Sequence, residues 1–251
     1  RLGFTSFLTP VTYYNYDLDR RHLTPLCAET VPDYDPADFA VERIHAPAPD
    51  GAAIPLTLVF RREVRARGPA PLLLFAYGAY GTNMPLFFDQ ARLPLLNRGF
   101  IFAMAHVRGG SECGTAWHHT GRRWAKPNSV ADLIAAAEHL VDTGYARRDA
   151  LCAETLSAGG LMLGAALNRR PDLFAAVIAR EPFVDPLTTM ADPNLPLVCN
   201  EYGEWGDPRR REDWDNLRAL SPYDNITDQP YPALLATAAF HDSQVPYWEP
   251  A

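Results

Sequence analysis

The sequence predicts an α/β protein whose core is a doubly wound, mainly parallel sheet. From residue 72 onward, short continuous apolar runs recur, as expected of strands covered on both faces. Segments of helical periodicity separate these runs. At one junction, Leu151 to Gly160, an apolar run passes through a small-residue turn directly into a helical segment.

The strands expected are Leu72 to Tyr77, Phe100 to Val107, Ala150 to Glu154, Ala175 to Ala179 and Ala233 to Ala238. Val130 to Val141 reads as a helix, with Ile134, Ala137 and Leu140 on one face, Ser129 as its cap and Gly144 placed to end it. Ala158 to Asn168 reads as a second helix, closed by Arg169, Arg170 and Pro171. Earlier in the chain, Phe39 to His45 and Ile54 to Arg61 flank Pro49-Asp50-Gly51, a hairpin signal. Arg65 to Pro71 reads as a loop. Thr30 to Phe39, with Pro32, Pro36, Asp33, Asp35 and Asp38, reads as a linker, and residues 1–30 as strand and turn.

A chain of 251 residues, 47% of them apolar, suits one large α/β domain with or without the remnant of a neighbour. Lys and Arg total 23 against 30 Asp and Glu, a formal charge of −7, which argues against nucleic acid or an anionic membrane as main partner. That balance suits a cationic substrate, but a solvated acidic surface is its more common meaning. Cys27, Cys113, Cys152 and Cys199 show no metal-ligand spacing, so the expectation is free thiols in a reducing, cytoplasmic setting, with no metal and no cofactor. There is no apolar run long enough for a transmembrane helix, and Arg1-Leu2-Gly3-Phe4 does not begin a signal peptide.

The junction at Ser157 carries the chemistry. Strand, sharp turn and helix are the context of a nucleophile elbow, the turn that exposes a serine oxygen in α/β-hydrolases. Gly159 supplies the small residue two positions after Ser157, and Gly160 adds room; two positions before stands Thr155. Asp242 lies just beyond the strand expected at Ala233 to Ala238, where this fold places the acid that orients a histidine. Taken singly, Ser157 reads sooner as a helix cap and Asp242 as a turn cap; the strand before Ser157 and the acid that follows together reverse that reading. An oxyanion hole needs donors aimed at the developing charge. The Ala158 N–H is one candidate, and the loop Tyr77-Gly78-Ala79-Tyr80-Gly81 offers another, from backbone or hydroxyl.

Five blocks resemble the oligopeptidase B branch of the prolyl oligopeptidase family of serine peptidases. They are Tyr77-Gly78-Ala79-Tyr80-Gly81, Ala105-His106-Val107-Arg108-Gly109-Gly110-Ser111-Glu112, Ser157-Ala158-Gly159-Gly160, Glu201-Tyr202-Gly203-Glu204-Trp205-Gly206, and His241-Asp242-Ser243 with Tyr247-Trp248-Glu249-Pro250. Pro182-Phe183-Val184-Asp185 and Ser221-Pro222-Tyr223-Asp224-Asn225 add to them. The resemblance implies an α/β-hydrolase domain capped by a β-propeller that admits short peptides and excludes folded proteins. On that pattern residues 1–30 are the end of the propeller, 31–71 a linker and the first hairpin of the hydrolase domain, and 72–251 the catalytic domain. The resemblance further makes Tyr77 the oxyanion tyrosine beside Ala158, and Glu201 the acid that receives a substrate Arg or Lys at P1. Arg108 is expected to be structural.

Some positions depart from the family pattern. Gly203 stands where a second pocket acid is common, Asn83 to Phe87 contains no acid, and Gln244 replaces an arginine. A single basic residue at P1 remains the expectation; a dibasic preference does not. In this fold the order is Ser, Asp, then His. The histidines are His22, His45, His106, His118, His119, His139 and His241, and none follows Asp242, so the chain is expected to be a fragment that stops before its catalytic histidine. The alternatives are an esterase or acylaminoacyl-peptidase on the same fold, or a truncated product without activity.

Overall fold

The computed structural model describes residues 1–251. Ten strands form two sheets: β1 (Leu2–Phe4), β2 (Thr12–Asp17), β3 (His22–Ala28), β4 (Phe39–Pro47), β5 (Ala53–Arg61), β6 (Ala70–Ala76), β7 (Ile101–Ala105), β8 (Ala146–Leu156), β9 (Ala176–Arg180) and β10 (Ala233–Thr237). The helices are α1 (Arg62–Ala66), α2 (Leu93–Asn97), α3 (Thr115–His119), α4 (Pro127–Asp142), α5 (Gly159–Arg169), α6 (Pro186–Ala191), α7 (Val198–Glu201) and α8 (Arg211–Leu220). β1, β2 and β3 make a separate antiparallel sheet.

The main sheet runs β10-β9-β8-β6-β7-β5-β4. Strands β10, β9, β8, β6 and β7 are parallel, and the β4–β5 hairpin joins antiparallel through β5 to β7. This is the α/β-hydrolase fold expected, a mainly parallel sheet with helices on both faces. The apolar runs lie at its centre because only there do both faces of a strand need covering. On one face α4 and α5 bury Leu72, Leu74, Ile101, Leu151 and Val177 against Leu133, Leu140 and Met162. On the other, α2 and the segment around Phe7 cover Val59, Leu73, Phe75, Phe102 and Met104. The Arg92 guanidinium packs on this second face, 4.3 Å from the centre of the Phe102 ring.

Several expected boundaries shift. Ser129 does not cap α4, which starts at Pro127; its buried hydroxyl donates to the Arg108 and Gly121 carbonyls, 2.6 and 3.0 Å away. Proline at the first turn supplies the start, since its missing N–H would have had no partner there. Gly144 does end the helix, at φ +72°. Arg65 to Pro71 is not a single loop: α1 reaches Ala66 and β6 begins at Ala70. His118 and His119 close the short helix α3. The structural role expected of Arg108 is visible: its buried guanidinium bonds Asp132 at 2.6 and 2.9 Å and Asp50, in the hairpin turn, at 2.5 Å.

β10 is an outer strand of the main sheet, and Leu234 and Leu235 on it are 62% and 58% exposed. Beside it an apolar cavity of about 460 Å³ opens between β9, β10 and α5, lined by Leu163, Leu167, Val177, Leu234 and Trp248. No helix is long and apolar enough to cross a membrane.

Candidate active site

Ser157 follows β8 directly and precedes α5, at the C-terminal edge of the parallel strands. Its φ is +49°, a left-handed value that a serine adopts only when the surroundings impose it. They do so through three hydrogen bonds. The Ser157 N–H donates to the Arg180 carbonyl at 2.8 Å, and the Ser157 carbonyl accepts from Gly160 and Phe183, both at 2.9 Å. The turn is also too crowded for side chains. A Cβ on Gly160 would lie 2.6 Å from Pro182 Cβ and 2.7 Å from the Phe183 nitrogen.

The departure at Thr155 has a structural partner. Its buried hydroxyl donates to the Ala76 carbonyl at 2.7 Å, tying β8 to the end of β6 beside Tyr77. A Cβ on Gly159 would meet that hydroxyl at 2.0 Å, so Thr155 fits here because residue 159 is glycine.

A cavity of about 100 Å³ lies in front of the serine, lined by Tyr77, Tyr80, Ser157, Ala158, Phe183, Met190, Val198, Glu201, Gln244 and Val245. It is much smaller than the apolar cavity beside β10, but it is the one that touches Ser157. Four of the five residues singled out in the sequence therefore line one space: Ser157, Ala158, Tyr77 and Glu201. The Ala158 N–H donates to no protein acceptor. The Tyr77 phenol is held above its ordinary pKa, first by burial and then by the charge of Glu201, with a polar contact from Ser157 opposing the rise. A phenol that stays protonated remains a donor, which is what an oxyanion site requires.

Asp242 is the fifth residue. It stands beyond β10, at the same sheet edge as Ser157, but it does not line the cavity; its neighbours Gln244 and Val245 do. One carboxylate oxygen accepts the N–H groups of Gln244 and Val245 at 2.7 and 3.0 Å, so it caps its own loop. No histidine hydrogen-bonds to Asp242 or Ser157. His106 bonds the Thr57 hydroxyl and His118 bonds Glu204, both at 2.8 Å, while exposed His241 stacks edge-on against Phe240.

Glu201 ends α7. Its Oε2 accepts from the Tyr80 hydroxyl at 2.9 Å and from the Trp205 indole N–H at 2.8 Å. Behind it lies a polar cluster that the sequence alone did not single out. The Glu204 carboxylate takes the Tyr80 N–H at 2.9 Å and His118 at 2.8 Å. Lys126 is 1% exposed; its Nζ donates to the Gly78 carbonyl at 2.5 Å and lies 4.8 Å from the centre of the Trp205 ring. Burial pulls the Lys126 pKa down to about 8, with Glu204 opposing. These residues sit far apart in the chain, and a lone Lys or His carries no pattern that would group them. The one clue was Glu204 within the Glu201–Gly206 block.

Glu249 does the same for the C-terminal segment. Its buried carboxylate accepts the Val184 and Asp185 N–H groups at 2.7 and 2.6 Å and the Thr189 hydroxyl, and burial raises its pKa. It thereby fastens the loop that carries Gln244 and Val245 to the one that carries Phe183. No group of three or more His, Cys, Asp or Glu side chains is arranged to hold a metal ion.

Known proteins resemble this chain in sequence and in fold. Residues 87–251 match the prolyl oligopeptidase family. The chain is 43% identical over its full length to dipeptidyl aminopeptidase BI of Pseudoxanthomonas mexicana, covering 35% of that protein, and 41% identical to protease 2 of Moraxella lacunata, covering 36%. Among solved structures, oligopeptidase B from Leishmania major superposes with a TM-score of 0.94 at 42% identity, over 99% of this chain and 35% of that one. Oligopeptidase B from Trypanosoma brucei with covalently bound antipain gives 0.95 at 40% identity, again over 99% and 35%. The chain thus spans about a third of the length of the curated relatives it matches. With the fold, the elbow and this similarity in agreement, the chain belongs to the prolyl oligopeptidase family of serine peptidases.

Proposed function

We propose that this chain carries most of the catalytic domain of a serine peptidase that cleaves short peptides after Arg or Lys. The observation that carries the reading is the shared cavity: Ser157 and Glu201 line the same small space, with Tyr77 and Ala158 beside the serine. Ser157 is the nucleophile. The Ala158 N–H and the Tyr77 hydroxyl receive the oxyanion, and Glu201 receives the basic P1 side chain. A serine hydroxyl needs a base to take its proton. Asp242 is the acid that orients that base, a histidine outside residues 1–251. Residues 1–30 are the end of a β-propeller that screens access, residues 31–71 the linker and first hairpin, and residues 72–251 the catalytic domain. The separate sheet of β1 to β3, with Leu2, Phe4, Tyr13 and Tyr16 exposed, supports this division.

In the mechanism, a P1 cation pairs with Glu201 and brings the scissile carbonyl to Ser157. Attack moves negative charge onto the carbonyl oxygen, which the Ala158 N–H and the Tyr77 hydroxyl, both lining the same cavity as Ser157, receive as donors. The test uses the complete protein and peptides differing only at P1: Arg, Lys or neutral citrulline. Truncating one partner of a desolvated charge pair costs about 2–5 kcal/mol. Glu201→Gln should therefore lower kcat/KM on Arg and Lys by roughly 30-fold or more and leave citrulline little changed. An unaltered ratio of basic to neutral substrates would refute the assignment. The name of the Pseudoxanthomonas relative, dipeptidyl aminopeptidase BI, favours a second reading within the same chemistry, removal of dipeptides from a free amino terminus. Peptides with blocked and free amino termini separate the two.

A further inference from the structure

Tyr80 occupies an unusual position for a bulky residue. Its φ is +59°, where a glycine would sit without strain. Backbone strain of this kind persists only where the surroundings over-determine it, and it gathers at functional sites. Two glutamates hold Tyr80 there. The Glu204 carboxylate, itself bonded to His118, takes the backbone N–H at 2.9 Å, and Glu201 takes the hydroxyl at 2.9 Å. The Tyr80 ring packs edge-on against Trp205, with centroids 5.5 Å apart. Burial and the Glu201 charge push its phenol well above the ordinary value, so the hydroxyl keeps its proton and remains a donor to the carboxylate.

The consequence lies in which oxygen is used. The Tyr80 hydroxyl and the Trp205 indole N–H both converge on Oε2 of Glu201. Oε1 has no protein donor. A carboxylate grips a guanidinium best through two parallel hydrogen bonds, one to each oxygen. That fork requires Oε2 to take a third donor at a site that already has two. An ammonium is a point charge and needs only one open oxygen.

We propose that Tyr80 is a specificity-determining residue: by occupying Oε2 of Glu201 it leaves one open acceptor, so that the pocket receives Lys and Arg through the same single contact and discriminates little between them. This rests on Glu201 being the P1 acid. Tyr80→Phe keeps the ring and its packing on Trp205 and removes only the hydroxyl. It frees a lone pair of Oε2 and restores the fork to Arg but gives nothing to Lys.

The experiment measures kcat/KM of the complete protein on matched peptides with Arg, Lys or citrulline at P1, for the native enzyme, Tyr80→Phe and Glu201→Gln. The expected native Arg:Lys ratio is within about threefold of unity, and Tyr80→Phe raises it by about tenfold, the worth of one added charge-assisted hydrogen bond. A general loosening of the fold would lower both substrates together and leave the ratio alone. If Glu201→Gln removes the preference for basic substrates but Tyr80→Phe changes the Arg:Lys ratio by less than twofold, the role of Tyr80 is refuted and the P1 assignment stands. If the native enzyme does not prefer Arg and Lys to citrulline, both fall. Should Tyr80→Phe fail to fold, titration of the complete Ser157→Ala protein with butylguanidine and pentylamine decides. Similar affinities support the proposal, and a guanidinium advantage above about tenfold overturns it.

Discussion

Lys126 tests whether the charge behind the Tyr77–Gly81 loop is a cost that the fold carries. Its ammonium is 1% exposed and its pKa falls from 10.5 to about 8. The unfolded chain therefore binds a proton more readily than the folded one. Stability is penalised while Lys126 is charged in both states, below pH 8, and recovers as pH rises from about 8 to about 10.5. Each pKa unit is worth about 1.4 kcal/mol, so the full recovery is about 3 kcal/mol, most of it complete by pH 10. The Trp205 ring, 4.8 Å from Nζ, favours the ammonium and makes this an upper figure. Lys126→Met keeps similar bulk, removes the titration and deprives the Gly78 carbonyl of its donor. Losing that donor costs about 1–3 kcal/mol. At pH 7 relief of the buried charge offsets that loss, and the variant should lie close to the native protein. At pH 10 the relief is gone, and the variant should be less stable by about 1–3 kcal/mol. Tyrosines also titrate at high pH, but they are common to both proteins and cancel in the difference. The assay is urea unfolding of both at pH 7, 8, 9 and 10. A native-minus-variant difference that stays flat within about 0.5 kcal/mol across that range would refute the buried ammonium.

Tyr77→Phe in the complete enzyme should lower kcat by about a hundredfold with little change in KM, since it removes one oxyanion donor and leaves the P1 cavity in place; steady-state kinetics on an Arg peptide checks this, and an unchanged kcat would leave the oxyanion to backbone groups alone. Gly121→Ala should abolish soluble folded protein, because the new Cβ would lie 2.1 Å from the Gly109 nitrogen and 2.2 Å from the Arg108 carbonyl carbon, both backbone; Gly203→Ala, with nothing within 4 Å, should stay within about 0.5 kcal/mol of native by the same urea assay.

The parallel strands, both long helices and the hairpin were legible in the sequence because each is written in a local pattern. Apolar runs such as Leu72 to Phe75 become strands buried on both faces, and of the stripe Ile134, Ala137 and Leu140 the last two lie buried on the inner side of α4 beside Leu133, while Ile134 flanks it half-buried. Ser157 was legible because strand, small residues and helix stand next to one another in the chain. What sequence periodicity does not carry is which distant residues meet. Ser129, suited by type to a cap, has its hydroxyl drawn inward to the Arg108 and Gly121 carbonyls, a contact made only once α4 docks. Thr155 departs from the usual small residue, and only the approach of β6 shows its hydroxyl bonding the Ala76 carbonyl against Gly159. Lys126, His118 and Glu204 have no common spacing, yet burial leaves them each other's neighbours and the Tyr80 turn as their shared load. The sequence alone determined the sheet, the elbow and the type of residue at each candidate position. Tertiary packing decided which oxygen of Glu201 stays open, because that depends on where two aromatic side chains from separate segments converge.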